Sequence, residues 1–298
     1  MTVSAANVTR RDFLTLTAAG GLLANARRSQ AEPVTGAESV TPSWVDANVY
    51  LSRWPFRRMR YDTPDALASM LRSKGITQAW TGSLDGVFHK DIGAVNRRLS
   101  EACAQQDDGL LVPFGSINPL LPQWRDELRL CAERYRMPGI RLHPSYHGYD
   151  LKEPRLAELL QRAAELNLIV QLCAWLEDAR TQHPQMRVPD VDLAPLGDLA
   201  ASTSGLRLVL LNGVKNAAGV AQAKLLQLPN VYCDIAQLET SEGVSKLLAT
   251  TTAEHLLFGS YSPMFYFDSA RLKLTESVLT PQQDQAIRFG TARSLLPA

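Results

Sequence analysis

The sequence predicts an α/β fold, a single (β/α)8 barrel of the TIM type, from three observations. Short apolar or β-branched runs alternate with longer segments in which apolar residues recur every three or four positions, as in successive βα units. The short runs are almost continuously apolar, which is typical of parallel strands that are buried on both faces. Eight such units fit a chain of 298 residues, because a barrel of this type usually takes about 250 residues.

Eight strands are predicted, separated by helical segments. The strands are 44–50, 76–82, 110–117, 139–143, 168–175, 206–212, 231–236 and 256–260, and the helices include 64–74, 124–136 and 155–166. In the helix 124–136, Leu128, Cys131 and Tyr135 share one face and Arg129 another, as expected for a helix that lies on a sheet. An open doubly wound sheet is the alternative, disfavoured because no Gly-x-Gly-x-x-Gly follows the first strand.

The composition indicates a small-molecule partner. Hydrophobic residues make up 45% of the chain, and the net charge is only +1. Such a balance gives neither the basic field that binds nucleic acid nor the acidic tract of a disordered chain. The four cysteines have no Cys-x-x-Cys spacing, and we interpret them as buried structural thiols.

The amino terminus resembles a twin-arginine export signal. Arg10 and Arg11 precede Phe13 and Leu14, and a short run rich in Gly, Ala and Thr follows. This run is too short and too weakly apolar for stable insertion into a bilayer. The resemblance implies the twin-arginine translocation machinery as a partner and export of the folded protein, to the periplasm or as a secreted protein.

The end of this signal gives the domain organisation. Ser29-Gln30-Ala31 has the small-x-small form of a cleavage site. We therefore expect a signal peptide over residues 1–31, a linker over 32–41 and the barrel over 42–298.

The first predicted strand, Trp-Val-Asp-Ala-Asn-Val-Tyr, resembles the first barrel strand of the amidohydrolase-2 (amidohydrolase-related) family. The resemblance extends over about residues 42–297. Further segments resemble the family's fourth, seventh and eighth strands and its closing helix, namely 139–144, 230–236, 258–263 and 287–296. It implies a barrel of the kind found in metal-dependent hydrolases and decarboxylases, with the chemistry at the carboxyl ends of the strands.

The resemblance also implies metal ligands at four strand ends, where this chain carries other residues. Asn48 and Tyr50 stand in the places of the two first-strand histidines, and the fifth strand contains no histidine. Asn212 ends the sixth strand, and Tyr261 stands in the place of the eighth-strand aspartate. Amides and protonated phenols are poor substitutes for imidazole and carboxylate ligands. We therefore predict that the family metal site is degenerate, and we predict no cofactor.

Polar and aromatic residues at the same strand ends are the candidates for function. The candidate catalytic residues are the acid/base groups His143, His147, Asp178 and His183. The candidates for substrate binding are Asn48, Tyr50, Arg53, Trp54, Arg141, Tyr146, Glu177, Arg180, Asn212, Asn216, Asp234 and Tyr261. Guanidinium groups beside aromatic rings suit an anionic or aromatic ligand. The structural alternatives are a hydrogen-bonded barrel histidine, aromatic residues that cap the core, and a solvated, salt-bridged loop.

The sequence thus predicts a hydrolase or decarboxylase-like lyase that acts on a small anionic or aromatic molecule. His143 would be the general acid/base, and Asn48, Asn212 and Tyr261 would donate hydrogen bonds in the former metal cavity. Two alternatives stay open. One is a non-catalytic periplasmic barrel that binds a ligand or serves as a scaffold. The other is a metalloenzyme with relocated ligands such as His143, His147, His183 and Asp178. The sequence does not indicate an oligomeric state.

Overall fold

Eight parallel strands lie in chain order in one sheet. The computed structural model describes residues 43–106, 108–215 and 224–297, so Asn216, the predicted signal peptide and the predicted linker lie outside the described residues. The strands are β1 (Trp44–Leu51), β2 (Ile76–Ser83), β3 (Leu111–Ser116), β4 (Gly139–Leu142), β5 (Ile169–Cys173), β6 (Arg207–Leu211), β7 (Val231–Asp234) and β8 (Leu256–Leu257). Each strand pairs in parallel with the next one along the chain.

The sheet closes where the segment that contains β8 meets β1. The amide of Ala47 donates to the carbonyl of Phe258 and the amide of Tyr50 to the carbonyl of Ser262, each at 2.8 Å. Val49 also pairs with Ser262 in a parallel bridge. The protein is therefore a TIM barrel, as predicted, and the open doubly wound alternative is wrong.

All eight predicted strands are present, but several end earlier than predicted. The fifth strand stops at Cys173 rather than at residue 175, and the eighth covers only Leu256–Leu257. Two residues just beyond strand ends, Asn212 and Tyr261, have left-handed φ angles of 56° and 59°. A residue in this region cannot continue a strand, so the chain turns out of the sheet here.

Helices flank the strands. In the described part of the chain they are α1 (Pro64–Ser73), α2 (Asp85–Phe88), α3 (Ile92–Ala104), α4 (Trp124–Glu133), α5 (Pro144–His147), α6 (Pro154–Glu165), α7 (Leu196–Ser202), α8 (Gly243–Leu247), α9 (Phe267–Thr275), α10 (Pro281–Gln285) and α11 (Thr291–Leu295). A 3-10 turn covers Ala253–His255 and a π-turn Ala286–Gly290. Helix α6 buries Leu156, Leu159, Leu160 and Ala163, the spacing of one apolar face. Helix α4 ends at Glu133, three residues before the predicted end.

The interior of the barrel is apolar at the amino ends of the strands and polar at their carboxyl ends. An apolar cluster that includes Trp80, Phe114 and Ile169 is separate from the larger core. Side chains alternate along a strand, so Ile169, Gln171 and Cys173 of β5 share one face. Gln171 donates across the barrel to the carbonyl of Ala47 at 2.8 Å. The polar end is thus part of the barrel interior, where it can form a site.

No helix among residues 43–106, 108–215 and 224–297 is long and apolar enough to cross a membrane.

Candidate functional site

Buried polar side chains converge at the carboxyl ends of the strands. Seven of them are at most 1% exposed, namely Asp46, Asn48, Arg141, His143, Gln171, Asn212 and Asp234. A buried polar group destabilises a fold unless hydrogen bonds replace its contacts with water. The network that joins these side chains therefore determines what the site can do.

Two amides and a carboxylate form the first part of this network. Asn48 Nδ2 donates to Asp234 Oδ2 at 2.6 Å and to Asn212 Oδ1 at 2.9 Å. The backbone amide of Asn212 donates to Asp234 Oδ1 at 2.9 Å, and the side-chain Nδ2 of Asn212 donates to the carbonyl of Trp175 at 2.9 Å. Burial raises the pKa of Asp234 to about 6, although these donors oppose the shift. Both oxygens of Asp234 are thus engaged by protein donors.

Asp46 lies beside this group. Its Oδ1 accepts from the backbone amides of Asn48 at 3.1 Å and Ser260 at 2.9 Å, whereas its Oδ2 has no hydrogen-bond partner within the described residues. Burial raises the pKa of Asp46 to about 7, and the nearby Asp234 adds to the shift. Two carboxyl groups that are buried close together disfavour simultaneous ionisation.

Arg141 places a fixed positive charge inside the barrel. Its Nε donates to Gln171 Oε1 at 2.8 Å, and its Nη1 and Nη2 donate to the carbonyls of Val49 at 2.9 Å and Trp80 at 3.1 Å. The guanidinium carbon lies 4.3 Å from the centroid of the Tyr50 ring, within the range of a cation–π interaction. The side chain is completely buried, so solvent screens its charge only weakly.

His143 follows β4 directly and forms a pair with Tyr50. Its Nε2 lies 3.1 Å from the Tyr50 hydroxyl, while its Nδ1 has no hydrogen-bond partner in the part of the chain that the structure describes. Burial lowers the pKa of His143 well below its usual value, and His147 and Arg141 add to the effect. The imidazole is therefore neutral near pH 7 and can accept a proton.

His147 lies at the end of α5, near His143. The two ring centroids are 5.7 Å apart, and His147 Nε2 lies 2.8 Å from the carbonyl of Gly86. Since a carbonyl only accepts, Nε2 carries the hydrogen of this bond. Burial also lowers the pKa of His147. The structure thus brings both candidate histidines of the 141–150 segment to one place.

Two loops close the barrel mouth, one after β1 and one after β5. Arg57 Nη1 lies 3.5 Å from Glu177 Oε1, and Phe56 stacks on His183 with centroids 5.4 Å apart. Gln182 fastens the second loop internally through bonds to Val188 at 2.9 and 3.0 Å. Beneath lies a cavity of about 10 Å³, lined by residues that include His143, Tyr146, Cys173, Trp175 and Glu177. This volume holds about one water molecule.

Several candidates named from the sequence are near or in this enclosure. Trp54 is 3% exposed, Glu177 is 5% exposed and Tyr261 is completely buried. The Tyr261 hydroxyl donates to the carbonyl of Leu176 at 2.5 Å, and Tyr146 lines the cavity. The aromatic residues therefore wall the mouth.

Four other candidates lie on the loops outside the enclosure, three of them exposed and Asp178 half-buried. Arg180 forms a two-pronged pair with Asp178, with Nε–Oδ1 and Nη2–Oδ2 distances of 2.9 and 2.6 Å. His183 is exposed and stacks on Phe56, and Arg53 pairs with Asp62 at 3.5 Å. The structure does not bring these four into the buried network. Their placement matches the salt-bridged-loop alternative.

Three residues of the site were not named as candidates from the sequence. Gln171 links Arg141 to β1, Gln182 fastens the loop, and Cys173 lines the cavity. Gln171 carried a usable signal, because a lone amide inside an apolar strand needs a partner across the barrel. Cys173 and Gln182 carried none, since their contacts depend on how loops and distant strands meet.

A comparison with models of protein families shows which family the chain belongs to. A model of the amidohydrolase family (Amidohydro_2) matches residues 43–297. The chain belongs to this amidohydrolase family. A search of curated proteins gives no match.

Several solved structures share the barrel. The dihydroxybenzoic acid decarboxylase from Polaromonas sp. JS666, solved with manganese and the inhibitor 2-nitroresorcinol, is 13% identical with a TM-score of 0.67, covering 85% of this chain and 96% of that one. The 2,6-dihydroxybenzoate decarboxylase from Rhizobium is 14% identical with a TM-score of 0.62, covering 85% and 98%. A proposed 2-pyrone-4,6-dicarboxylic acid hydrolase from Pseudomonas putida is 22% identical with a TM-score of 0.60, covering 85% and 97%. At these identities the likeness shows the fold.

The residues at the strand ends do not fit the metal that the family implies. Asn48 and Asn212 donate their side-chain amide hydrogens to other groups, and Asn48 Oδ1, which has no hydrogen-bond partner in the described structure, is a neutral amide oxygen. Such an oxygen is a weaker metal ligand than imidazole or carboxylate. Burial keeps the pKa of Tyr261 well above its usual value, so its phenol stays protonated. The Arg141 guanidinium already supplies a positive charge, which disfavours a second cation nearby. Across the described ranges, no three His, Cys, Asp or Glu side chains are grouped as metal ligands.

Proposed function

We propose that this amidohydrolase-family barrel is a hydrolase or a decarboxylase-like lyase with a degenerate family metal site. Its substrate is a small anionic or aromatic molecule. The observation that carries the proposal is the buried Tyr50–His143 pair, which lies beside a closed cavity at the carboxyl ends of the strands. A family member that kept only the scaffold would have no need of such a pair in the barrel mouth.

His143 acts as the general acid/base. Its depressed pKa keeps the imidazole neutral, so it accepts a proton from a reacting group and later returns it. The Tyr50 hydroxyl orients the ring through Nε2. A positioned group of this kind contributes about 10²–10⁴-fold to a rate.

The lining of the mouth supports the proposed substrate class. Tyr146 and Trp175 present aromatic surface to the cavity, and Arg57 becomes available to an anion once its ion pair with Glu177 opens. The Rhizobium and Polaromonas relatives act on dihydroxybenzoates, and the Pseudomonas putida relative is a proposed hydrolase of a pyrone dicarboxylate. These compounds combine a ring with carboxylate groups.

A non-catalytic ligand-binding or scaffold barrel is the second candidate. The observation that favours it is the closed mouth, whose cavity of about 10 Å³ admits no organic substrate unless the loops move. The third candidate, a metalloenzyme with relocated ligands, has less support. Asp178 pairs with Arg180, and His183 lies on Phe56, so both are engaged away from His143.

We also propose that the protein is exported in folded form by the twin-arginine machinery. The Arg10–Arg11 pair supports this proposal. Replacement of both arginines by lysine is expected to leave the full-length chain in the cytoplasm, as measured by cell fractionation. Unchanged export of this variant would contradict the proposal.

A turnover screen tests the enzymatic proposal. Protein purified without chelator is offered small aromatic esters, lactones and hydroxybenzoates, and His143→Ala is compared with wild type. We expect a loss of about 10²–10⁴-fold in His143→Ala. The control is His89→Ala, because His89 is an exposed histidine. Equal activity of wild type and His143→Ala would remove His143 from the mechanism, and no turnover of any class would favour the binding or scaffold protein.

A further inference from the structure

A groove of about 450 Å³ lies at the amino-terminal end of the barrel, opposite the candidate functional site. This volume is within the range of about 300–1,000 Å³ that small-molecule sites usually have. Two polar residues and eight apolar residues line the groove, namely Arg136, Asn167, Val112, Ala132, Met137, Pro138, Leu166, Leu168, Leu296 and Pro297. The proposed function makes no use of this end of the barrel.

Two loops that each connect a helix to the next strand form one side of the groove. The loop from α4 to β4 and the loop from α6 to β5 run side by side, because the amide of Ile169 donates to the carbonyl of Pro138 at 2.9 Å. Each loop buries one apolar side chain, Met137 from the first and Leu168 from the second, both 2% exposed. The groove therefore has a fixed apolar base.

Two positive charges at the groove have no acidic partner in the described structure. Arg207 connects its two sides, since Nη1 donates to the carbonyl of Leu295 at 2.6 Å and Nη2 donates to Asn167 Oδ1 at 2.7 Å. Both acceptors are neutral, so they do not compensate the guanidinium charge. Arg136 is exposed, lines the groove, and forms no ion pair with another described residue. An anion that enters the groove therefore meets positive charge.

The acidic residues at the ends of the two adjoining helices are engaged along their own helices. Glu133 of α4 lies 3.7 Å from Arg129 Nη1, and Glu165 of α6 accepts from Gln161 Nε2 at 3.3 Å. Neither contact involves a residue that lines the groove. The positive charge at the groove is thus available to a ligand.

The backbone at Arg136 is also unusual. Arg136 and Asn167 follow α4 and α6 with left-handed φ angles of 50° and 56°. Asparagine tolerates this region, whereas a long side chain adopts it rarely. A strained backbone at a polar residue often marks a functional position. It agrees here with the unpaired guanidinium, which carries the charge that a ligand would use.

We propose that this groove binds a free fatty acid of medium chain length, with the alkyl chain against the apolar lining and the carboxylate on Arg136. The described lining contains methionine, leucine and valine but no aromatic residue, and such flexible or branched side chains adapt to an alkyl chain. This ligand differs from the ring compounds proposed for the barrel mouth. Its binding is independent of the proposed function, because the two places lie at opposite ends of the barrel.

Isothermal titration calorimetry of the full-length chain with decanoate tests the proposal. We expect saturable binding of one decanoate per chain, and an affinity that rises by about 2–4-fold for each CH₂ added from hexanoate to decanoate. Decanol, which lacks the charge, is expected to bind more weakly. This series uses only the wild-type protein, so its outcome does not depend on the folding of a variant.

A pair of charge reversals tests the role of Arg136. We expect Arg136→Glu to weaken decanoate binding by at least about 5-fold, because an attraction becomes a repulsion. Arg134→Glu is the matched control and is expected to bind like wild type. Arg134 is exposed two positions earlier, lies over the Tyr135 ring at 5.9 Å and does not line the groove. Circular dichroism checks that both variants fold.

Hydrogen exchange locates the bound ligand. Decanoate is expected to slow exchange in residues 132–138 and 165–169 and to leave residues 174–195 at the mouth unchanged. Protection at the mouth alone, or equal weakening in the two arginine variants, would overturn the groove as the site. No saturable binding would overturn the fatty acid. A wild-type dimer in light scattering that Arg136→Glu converts to a monomer would show that a second copy of the chain occupies the groove, which also contradicts the proposal.

Discussion

Replacement of Gln171 by leucine tests whether the buried network stabilises the barrel. The side chain accepts from Arg141 Nε and donates to the carbonyl of Ala47, each at 2.8 Å. Leucine has nearly the same volume but leaves the Arg141 Nε–H and the Ala47 carbonyl without their partner. Gln171 is completely buried, so water does not replace the lost hydrogen bonds.

The expected loss of stability follows from these two bonds. A hydrogen bond to a charged group contributes about 1.5–3 kcal/mol and a neutral one about 0.5–1.5 kcal/mol. We therefore expect the free energy of unfolding to fall by about 3 kcal/mol in Gln171→Leu. For a chain of this size each kcal/mol lowers Tm by about 2–4 °C, so Tm falls by about 6–12 °C.

Urea denaturation monitored by circular dichroism measures the change, and calorimetry checks Tm. Gln78→Leu is the matched control on β2, since Gln78 Oε1 is buried without a hydrogen-bond partner in the described structure. Removal of an unsatisfied acceptor is nearly neutral or stabilising. A Gln171→Leu protein within about 0.5 kcal/mol of this control would refute the argument that the network holds the strand ends together.

Three further predictions concern pH, access and metal. Burial raises the pKa of Asp46 in the folded protein to about 7 from its ordinary value of 3.8. The folded state therefore favours the protonated carboxyl, and the stability that this preference contributes is complete below about pH 4 and is lost as pH rises to about 7. Relative to wild type, Asp46→Asn is therefore expected to gain stability between pH 4 and 8, by up to about 4 kcal/mol at 1.36 kcal/mol per pKa unit. A pH-independent difference in urea titrations would contradict this. Arg57→Ala removes the ion pair with Glu177, so we expect faster amide hydrogen exchange in residues 174–195, while the free energy of unfolding changes by less than about 1 kcal/mol. Arg58→Ala is the control. Equal exchange in both variants would show that the ion pair to Glu177 does not hold the loop closed. Addition of Mn²⁺ or Zn²⁺ to metal-free protein is expected to leave Tm unchanged. If a specific site existed, free metal at 100 times its Kd would stabilise the fold by about 2.7 kcal/mol. A saturable rise in Tm with stoichiometric metal would refute the degenerate site.

The candidate site was only partly predictable from the sequence. His143, Tyr50, Asn48, Asn212 and Asp234 fall at predicted strand ends, and parallel strands in a barrel place such ends on one face. Which of them touch is not a local property, because Tyr50 and His143 are 93 positions apart. The loop residues Asp178 and Arg180 were equally polar in sequence. Their mutual pairing at the surface depends on the path of the loop.

The sequence by itself determined the eight strands and their order, because apolar runs and helical periodicity are properties of neighbouring residues. It also determined which residues stand at the strand ends, including those that the resemblance predicts in place of the family's ligands. Only the tertiary structure decided that the Arg141 charge lies inside the barrel and that the Tyr50 hydroxyl meets His143 Nε2. These contacts arise when the sheet curves and closes, which brings side chains from distant strands within hydrogen-bonding distance. The burial that then perturbs their pKa values exists only in that closed arrangement.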